Sequence, residues 1–275
     1  MRTILFLLLL SSVAYGQTRI ETDVVNLSKS TRVTGSEGCN SACEYLKSSL
    51  SDIGYEVELQ AFTVRDKRVY NVLATKQGAL NTVLVVGAHY DAVSGSPGAD
   101  DNASGTASVL ELARKFKVRS TRHTIAFQFY AGEEQGLIGS KFYCNNPKWP
   151  LKEHLFMLNL DMVGYLQELS LTSDLPVNEI LDPLYAKYSF ARKITLRNDP
   201  GSDNDSFEQR GIPALFLHTG MHINYHHKTD TPEKINYAGM ERICAYAYDL
   251  IIAVDRSDTP QYTVTENIPV VKVPR

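Results

Sequence analysis

The sequence predicts an α/β fold with a mostly parallel, doubly wound central sheet in one domain. Three observations carry this. Continuous apolar runs at residues 82–87, 124–130 and 155–160 have the composition of strands buried on both faces. Stretches with helical spacing lie between them, and that alternation is the signature of a parallel sheet. The chain has 275 residues with no internal repeat and no low-complexity linker, so a single large domain is the economical architecture.

The elements follow in order. Residues 1–16 combine Arg2, an apolar core over 4–10 and a small-residue end at Ala14 and Gly16, the pattern of a cleaved signal peptide with cleavage before Gln17. The apolar core is too short to span a bilayer. No cysteine follows it, which argues against a bacterial lipid anchor, and no other long apolar run is present. A soluble, secreted or periplasmic protein is expected. Ser36 caps a helix through about Leu50, which Gly54 ends. Residues 55–64 alternate as a strand and 70–75 form a second. The apolar run 82–87 leads into Ala88, His89, Tyr90 and Asp91. A loop bracketed by Gly98 and Gly105 holds Asp100 and Asp101, and the helix over 106–117 follows. The run 124–130 leads into Glu133 and Glu134, a helix covers 136–143, and the run 155–160 leads into Asp161. Further on come a helix over 178–190, a short strand over 194–197, a polar loop over 199–205, a strand over 212–218 and a long loop over 219–231. That last loop holds His222, His226, His227 and Asp230. A helix over 237–254 closes the domain, expected to span 17–255, and residues 256–275 read as an extended tail with three prolines.

The net charge of −3 is mild and mixed, with no basic run. Neither nucleic acid nor a membrane surface is expected as a partner. Cys39, Cys43, Cys144 and Cys244 are read as buried or disulfide-bonded, and four cysteines allow three pairings. No second close-spaced Cys or His pair accompanies Cys39 and Cys43, so a cysteine zinc site is not expected.

Ligands of doubly wound sheets bind outside the carboxyl ends of the strands. His89, the Glu133/Glu134 pair and Asp161 all fall there, and one of Asp100 or Asp101 stands before the next helix. Each has an ordinary explanation alone: a helix cap, a helix start, a satisfied core histidine. Their convergence at neighbouring strand ends is what points to a site. Nitrogen and carboxylate donors together suit zinc and not calcium. Counting a loop histidine, five ligands exceed one catalytic zinc but suit two ions bridged by a carboxylate. Asp91 is placed to accept the second ring N–H of His89. Glu133, beside the ligand Glu134, is the natural general base.

The blocks Gly87-Ala88-His89-Tyr90-Asp91, Asp101-Asn102-Ala103-Ser104-Gly105, Gly132-Glu133-Glu134-Gln135-Gly136, Asn159-Leu160-Asp161-Met162 and Tyr225-His226 with Asp230-Thr231 resemble the two-zinc exopeptidases of the bacterial leucyl aminopeptidase type. The likeness runs from about Arg32 to Tyr237. It implies a single-domain three-layer αβα sandwich around a mixed, mostly parallel sheet. It implies that His89 and Asp161 hold one metal, that Glu134 and His226 hold the other, and that Asp101 bridges them and precedes a cis peptide. It selects Asp101 over Asp100 and His226 over His227. The implied activity is hydrolysis of the first peptide bond of peptides with a free N-terminus, on two Zn(2+) per chain. Glu133 carries the proton and Tyr225 steadies the oxyanion. A monomer is expected.

Two other readings stand beside this one. Glutaminyl cyclases share the scaffold but use one zinc, and the block from Gly201 to Phe207 with Gly211-Ile212-Pro213 resembles both groups. Tyr225, where cyclases tend to carry Trp, and the run after Asp101 favour the peptidase. A binding protein without catalysis is disfavoured, because all five ligands and Glu133 are present. Asn204 stands where relatives often have His, which bears on the substrate pocket. Asp203, His218 and His222 fall near the site and are equally well read as polar loop residues. Asn26, Asn102 and Asn204 begin Asn-x-Ser triplets, a motif common by chance.

Overall fold

A computed structural model describes residues 17–165, 169–172, 183–184, 186–188, 192–194 and 201–257. The expected leader 1–16 lies outside them. So do most of the helix expected over 178–190, the strand expected beyond Ile194, and the tail from 258 onward.

Eight strands form one sheet in the order β1-β2-β4-β3-β5-β8-β6-β7. They are β1 (Val57–Val64), β2 (Lys67–Lys76), β3 (Val83–His89), β4 (Thr124–Tyr130), β5 (His154–Leu160), β6 (Leu169–Thr172), β7 (Arg192–Ile194) and β8 (Ala214–His218). The core pairings β4-β3, β3-β5 and β5-β8 are parallel, as is β6-β7, whereas β1-β2, β2-β4 and β6-β8 are antiparallel. Among the described residues the helices with both ends in view are α1 (Arg19–Leu27), α2 (Glu37–Ile53), α3 (Gly105–Lys117), α4 (Ile138–Asn145), α5 (Asn204–Glu208) and α6 (Tyr237–Arg256), and residues 183–184 and 186–188 are also helical. Among the described residues no helix is long and apolar enough to cross a membrane.

Period-two alternation along β3 explains the layering. Leu84, Val86 and Ala88 enter a core shared with α1, α2, α3 and α6. Val83 and Val85 enter a second core with Tyr143, Cys144 and Phe207, under α4 and α5. A strand apolar on both sides therefore sits at the centre of an αβα sandwich, as its continuous composition requires. From β3 the chain crosses through α3 to β4 on one side, then returns past β3 through α4 to β5 on the other. This reversal opens a crevice at the carboxyl ends of β3, β4 and β5.

Several elements differ from the sequence reading. Helix α1 was not expected, although Thr18 caps it by accepting the Glu21 N–H and Ile20, Val24 and Leu27 line its buried face. Nine residues form no stable helix alone, and α1 owes its existence to packing against α3 and α6. Strand β6 was also unforeseen. The polar loop expected over 199–205 gives way at Asn204 to α5, anchored by the buried Phe207. The strand expected from Ile194 is met at that residue by β7 (Arg192–Ile194), which begins two residues earlier, and residues 195–197 lie outside the described residues. Helix α6 runs to Arg256, beyond the expected domain end. The four cysteines are free and buried.

Candidate metal centre

The strand ends bring the acids and histidines together because the sheet is parallel there. His89 is the last residue of β3, Asp161 follows β5 directly, and Glu133 and Glu134 follow β4 by a short turn. The fourth contribution comes from the turn Ala99–Ser104, which is buried throughout. Its backbone leaves helical geometry at Asp101 and Asn102, with a cis peptide between them. Asn102 ties this turn to β5. Its Nδ2 donates to the Leu160 carbonyl at 3.0 Å, and its Oδ1 accepts the N–H groups of Gly105 (2.9 Å) and Met162 (3.2 Å). Gly105 is required at this approach, since a Cβ there would lie 2.2 Å from the Leu160 carbonyl oxygen. Asp101 and Asp161 are thereby set side by side.

His89 Nε2 lies 3.4 Å from Asp101 Oδ1 and 3.3 Å from Asp161 Oδ1. His226 Nε2 lies 3.0 Å from Asp101 Oδ2 and 3.2 Å from Glu134 Oε2. One carboxylate thus turns one oxygen to each histidine. Two clusters result, His89/Asp101/Asp161 and Asp101/Glu134/His226, each with its ligand atoms within 4.8 Å of one another and sharing Asp101. A third grouping, His89/Glu133/Glu134, places Glu133 against the same centre, and Glu134 is the one in contact with His226.

The donor set fits a pair of divalent cations. Both ring nitrogens of His89, Oδ1 of Asp161 and Oε1 of Glu134 are buried and have no hydrogen-bond partner. A buried polar atom left unpaired costs about 1–3 kcal/mol, and two of these, His89 Nε2 and Asp161 Oδ1, face each other at 3.3 Å within the centre. Mixed imidazole and carboxylate donors are those zinc takes.

The electrostatics agree. Burial, against His89 and with Asp161, Asp203 and Glu134, pushes the Glu133 carboxyl up to about 9. Burial and Asp101, against His89 and His226, push Glu134 up to about 8. Asp101 goes the other way, because the neighbouring His226 and His89 rings outweigh its burial and hold it below the usual carboxylate range. The Tyr225 hydroxyl is pushed above its ordinary value by burial and by Asp101, Glu134, Asp161 and Glu133. Its ring stacks on His226 at 3.7 Å between centroids.

Asp91 is fully buried behind the centre. It sits 3.6 Å from His89 Nδ1, wider than a hydrogen bond. It accepts the Thr34 hydroxyl at 2.7 Å and the Glu133 N–H at 3.2 Å, so it fixes the backbone of Glu133. Asp100 turns away from the centre: its Oδ1 accepts the Gly164 N–H and the Ser104 hydroxyl, and its Oδ2 faces His222. His227 is exposed and contacts Thr229. His218 stacks on Phe216, and Asp203 is buried beside the first turn of α5. Sequence reasoning gave no role to Arg32. It is buried and donates Nε to Tyr90 O, Nη1 to Leu27 O and Pro97 O, and Nη2 to Gly98 O. Its sequence neighbours, Ser28-Lys29-Ser30-Thr31 before and Val33-Thr34-Gly35 after, are mostly polar and gave no local signal of that burial.

Residues 71–251 match the family described as Peptidase family M28. The chain belongs to peptidase family M28. Leupeptin-inactivating enzyme 1 of Streptomyces exfoliatus is 33% identical over 196 residues, covering 69% of this chain and 44% of that protein. The chain spans about half the length of the curated relatives it matches. Among solved structures, a Bacillus subtilis zinc aminopeptidase superposes with a TM-score of 0.80 at 16% identity, covering 90% of this chain and 97% of that one. A Fimbriiglobus ruber glutaminyl cyclase superposes with a TM-score of 0.72 at 20% identity, covering 86% and 94%. These likenesses establish the M28 fold, a mixed sheet between helical layers. The five positions expected to hold metal all lie within the matched segment.

Proposed function

We propose that this chain is a secreted or periplasmic metallo-aminopeptidase that removes the N-terminal residue of peptides on a two-zinc centre. The observation that carries the reading is Asp101, whose two oxygens face two separate histidine-carboxylate pairs, with Glu133 at the edge of both. The zinc aminopeptidase among the structural neighbours supports the choice of metal. His89 and Asp161 would hold one ion, Glu134 and His226 the other, and Asp101 both. When bound, the two ions supply Lewis-acid polarisation and make water a nucleophile near neutral pH.

The chain's own residues do the rest. Glu133 takes a proton from the attacking water and returns it to the leaving amine nitrogen. Tyr225 donates its hydroxyl to the oxygen that gains charge as the carbonyl is attacked. Asp91 holds the Glu133 backbone so that its carboxylate meets the water. The surplus of acids around Glu133 and Asp161 favours a substrate's α-ammonium at the first residue, which makes the reaction exopeptidic. The partners are peptides with a free N-terminus, and the chain acts as a monomer.

The test is a panel of aminoacyl-nitroanilides beside a glutaminyl-peptide cyclisation assay, with zinc counted on the same sample. Chelator-sensitive hydrolysis with about two zinc ions per chain is expected. Glu133→Gln should lower kcat by about 10²–10⁴-fold with zinc retained. Cyclisation without hydrolysis, with about one zinc per chain, would overturn the proposal in favour of a cyclase.

A further inference from the structure

His226 is held in an unusual way. Its backbone φ is +57°, in the left-handed region that non-glycine residues adopt at a cost of roughly 1–3 kcal/mol. It lies in the 219–231 loop, with its side chain partly exposed. A ligand in such a position needs its loop held from outside. Thr219 ties the start of the loop to Met162 O, and Ser96 Oγ donates to His227 O at 3.0 Å. Two further attachments, one on each side of His226, both end on the turn that carries Asp101.

On the carboxyl-terminal side, the buried Asp230 accepts the backbone N–H groups of Asp100 (2.9 Å) and Asp101 (3.1 Å), and Ala99 N–H donates to Asp230 O. On the amino-terminal side the attachment is His222. Its Nδ1 accepts the Asn224 N–H at 3.2 Å, which places the ring proton on Nε2. Nε2–H then donates to Asp100 Oδ2 at 3.0 Å. The ring lies flat on Tyr165, 3.7 Å between centroids and 2° between planes, and Asn224 Nδ2 donates to the Tyr165 hydroxyl at 2.8 Å. Asp100 is itself immobilised by Gly164 N–H and Ser104.

We propose that His222 is a positioning residue for the second metal subsite: by clamping the 219–231 loop onto Asp100 it fixes His226 opposite Asp101 and Glu134. The inference rests on the two-zinc reading for its consequence, and on hydrogen bonds and stacking alone for its cause. Asp100 and Asp101 are adjacent, so the clamp references the loop directly to the bridging ligand. The subsite of His89 and Asp161 depends on strand ends and not on this loop. The two subsites therefore respond differently to loss of the clamp.

The experiment compares wild type, His222→Phe and His222→Gln. Phenylalanine keeps a ring on Tyr165 and removes the bond to Asp100. Glutamine keeps an N–H donor and removes the stack. Amide hydrogen exchange is measured on metal-free protein and zinc binding by competition with a chromophoric chelator. In His222→Phe the amides of residues 223–228 should exchange on the order of tenfold faster, with β3, β5 and α6 unchanged. The second zinc equivalent should bind about 10–100-fold more weakly while the first keeps its affinity. His222→Gln should recover part of both effects. Loop exchange without a change in zinc affinity, weaker zinc without loop exchange, or equal weakening of both equivalents would each overturn the proposal. If wild type takes up fewer than two zinc ions, the two-metal reading falls on that measurement. The exchange comparison then decides by itself whether His222 holds the loop.

Discussion

Replacing Arg32 by methionine tests the scaffold beneath the metal centre. The guanidinium is 1% exposed and makes four hydrogen bonds of 2.7–2.8 Å, all to main-chain carbonyls. These belong to the end of α1, the segment after His89 and the start of the Asp100–Asp101 turn, so one side chain joins three pieces of chain. Burial lowers the pKa of the guanidinium against Asp91, Asp101 and Asp230. The charge itself therefore adds little net stability, and the hydrogen bonds dominate. Methionine fills the aliphatic volume but leaves the Tyr90, Leu27 and Pro97 carbonyls without a donor, while Gly98 O keeps the Ala103 N–H. At the low end of about 1–3 kcal/mol for each unpaired group, the loss is about 3 kcal/mol. For a domain of this size that corresponds to roughly 6–12 °C in Tm. Arg32→Lys keeps the charge and three donors but not the planar fork, and should lose about 2 kcal/mol. Urea denaturation of the metal-free proteins, with an unchanged m value, is the assay. A loss below about 1 kcal/mol for Arg32→Met, or lysine no better than methionine, would refute the reasoning.

Three further outcomes are expected. Tyr225→Phe should lower kcat on aminoacyl-nitroanilides by about 10²-fold with KM and zinc content unchanged, because the hydroxyl serves only the developing oxyanion; a rise in KM alone would place the hydroxyl in ground-state binding. Asp91→Asn should weaken zinc by about 10–100-fold in chelator competition and lower kcat as Glu133 loses a firm backbone anchor; wild-type affinity would remove Asp91 from the site. His154 is buried with Nδ1 3.2 Å from Pro150 O and Nε2 2.9 Å from the Tyr143 hydroxyl, an arrangement that satisfies the neutral ring. Burial pushes its pKa from 6.5 down to about 4. The unfolded chain therefore takes the proton first, and stability present above pH 6.5 is lost as pH falls toward 4, by about 3 kcal/mol in all. His154→Gln should flatten that part of the urea-measured pH profile relative to wild type, and parallel profiles would contradict the assignment.

The parallel core was legible because strands buried on both faces must be apolar throughout, and β3, β4 and β5 are. Helices α2 and α3 were legible from their spacing, and α2 from its Ser36 and Gly54 caps as well. Helix α1 and strand β6 were not, since their stability comes from neighbours distant in sequence. At the centre, His89, Glu133, Glu134 and Asp161 could be picked out because each directly or closely follows a buried strand, and strand ends in a parallel sheet are close in space.

Chain composition and spacing by themselves determined a doubly wound α/β domain with a nitrogen-and-carboxylate cluster at one edge of the sheet. Spacing left open which of two adjacent aspartates faces His89 and His226; the family resemblance pointed to Asp101, and the tertiary structure supplies the physical reason. Asp100 and Asp101 are identical in chemistry, and their directions are set by Asn102 against β5, Asp230 across the turn and His222 on its far side. The structure likewise accounts for His226 over His227, which the resemblance had picked, and it alone decided the burial of Arg32. Local sequence specifies which groups are present. The direction in which a side chain points from an irregular turn is fixed by hydrogen bonds to residues more than fifty positions away, and those form only when the whole sheet is assembled.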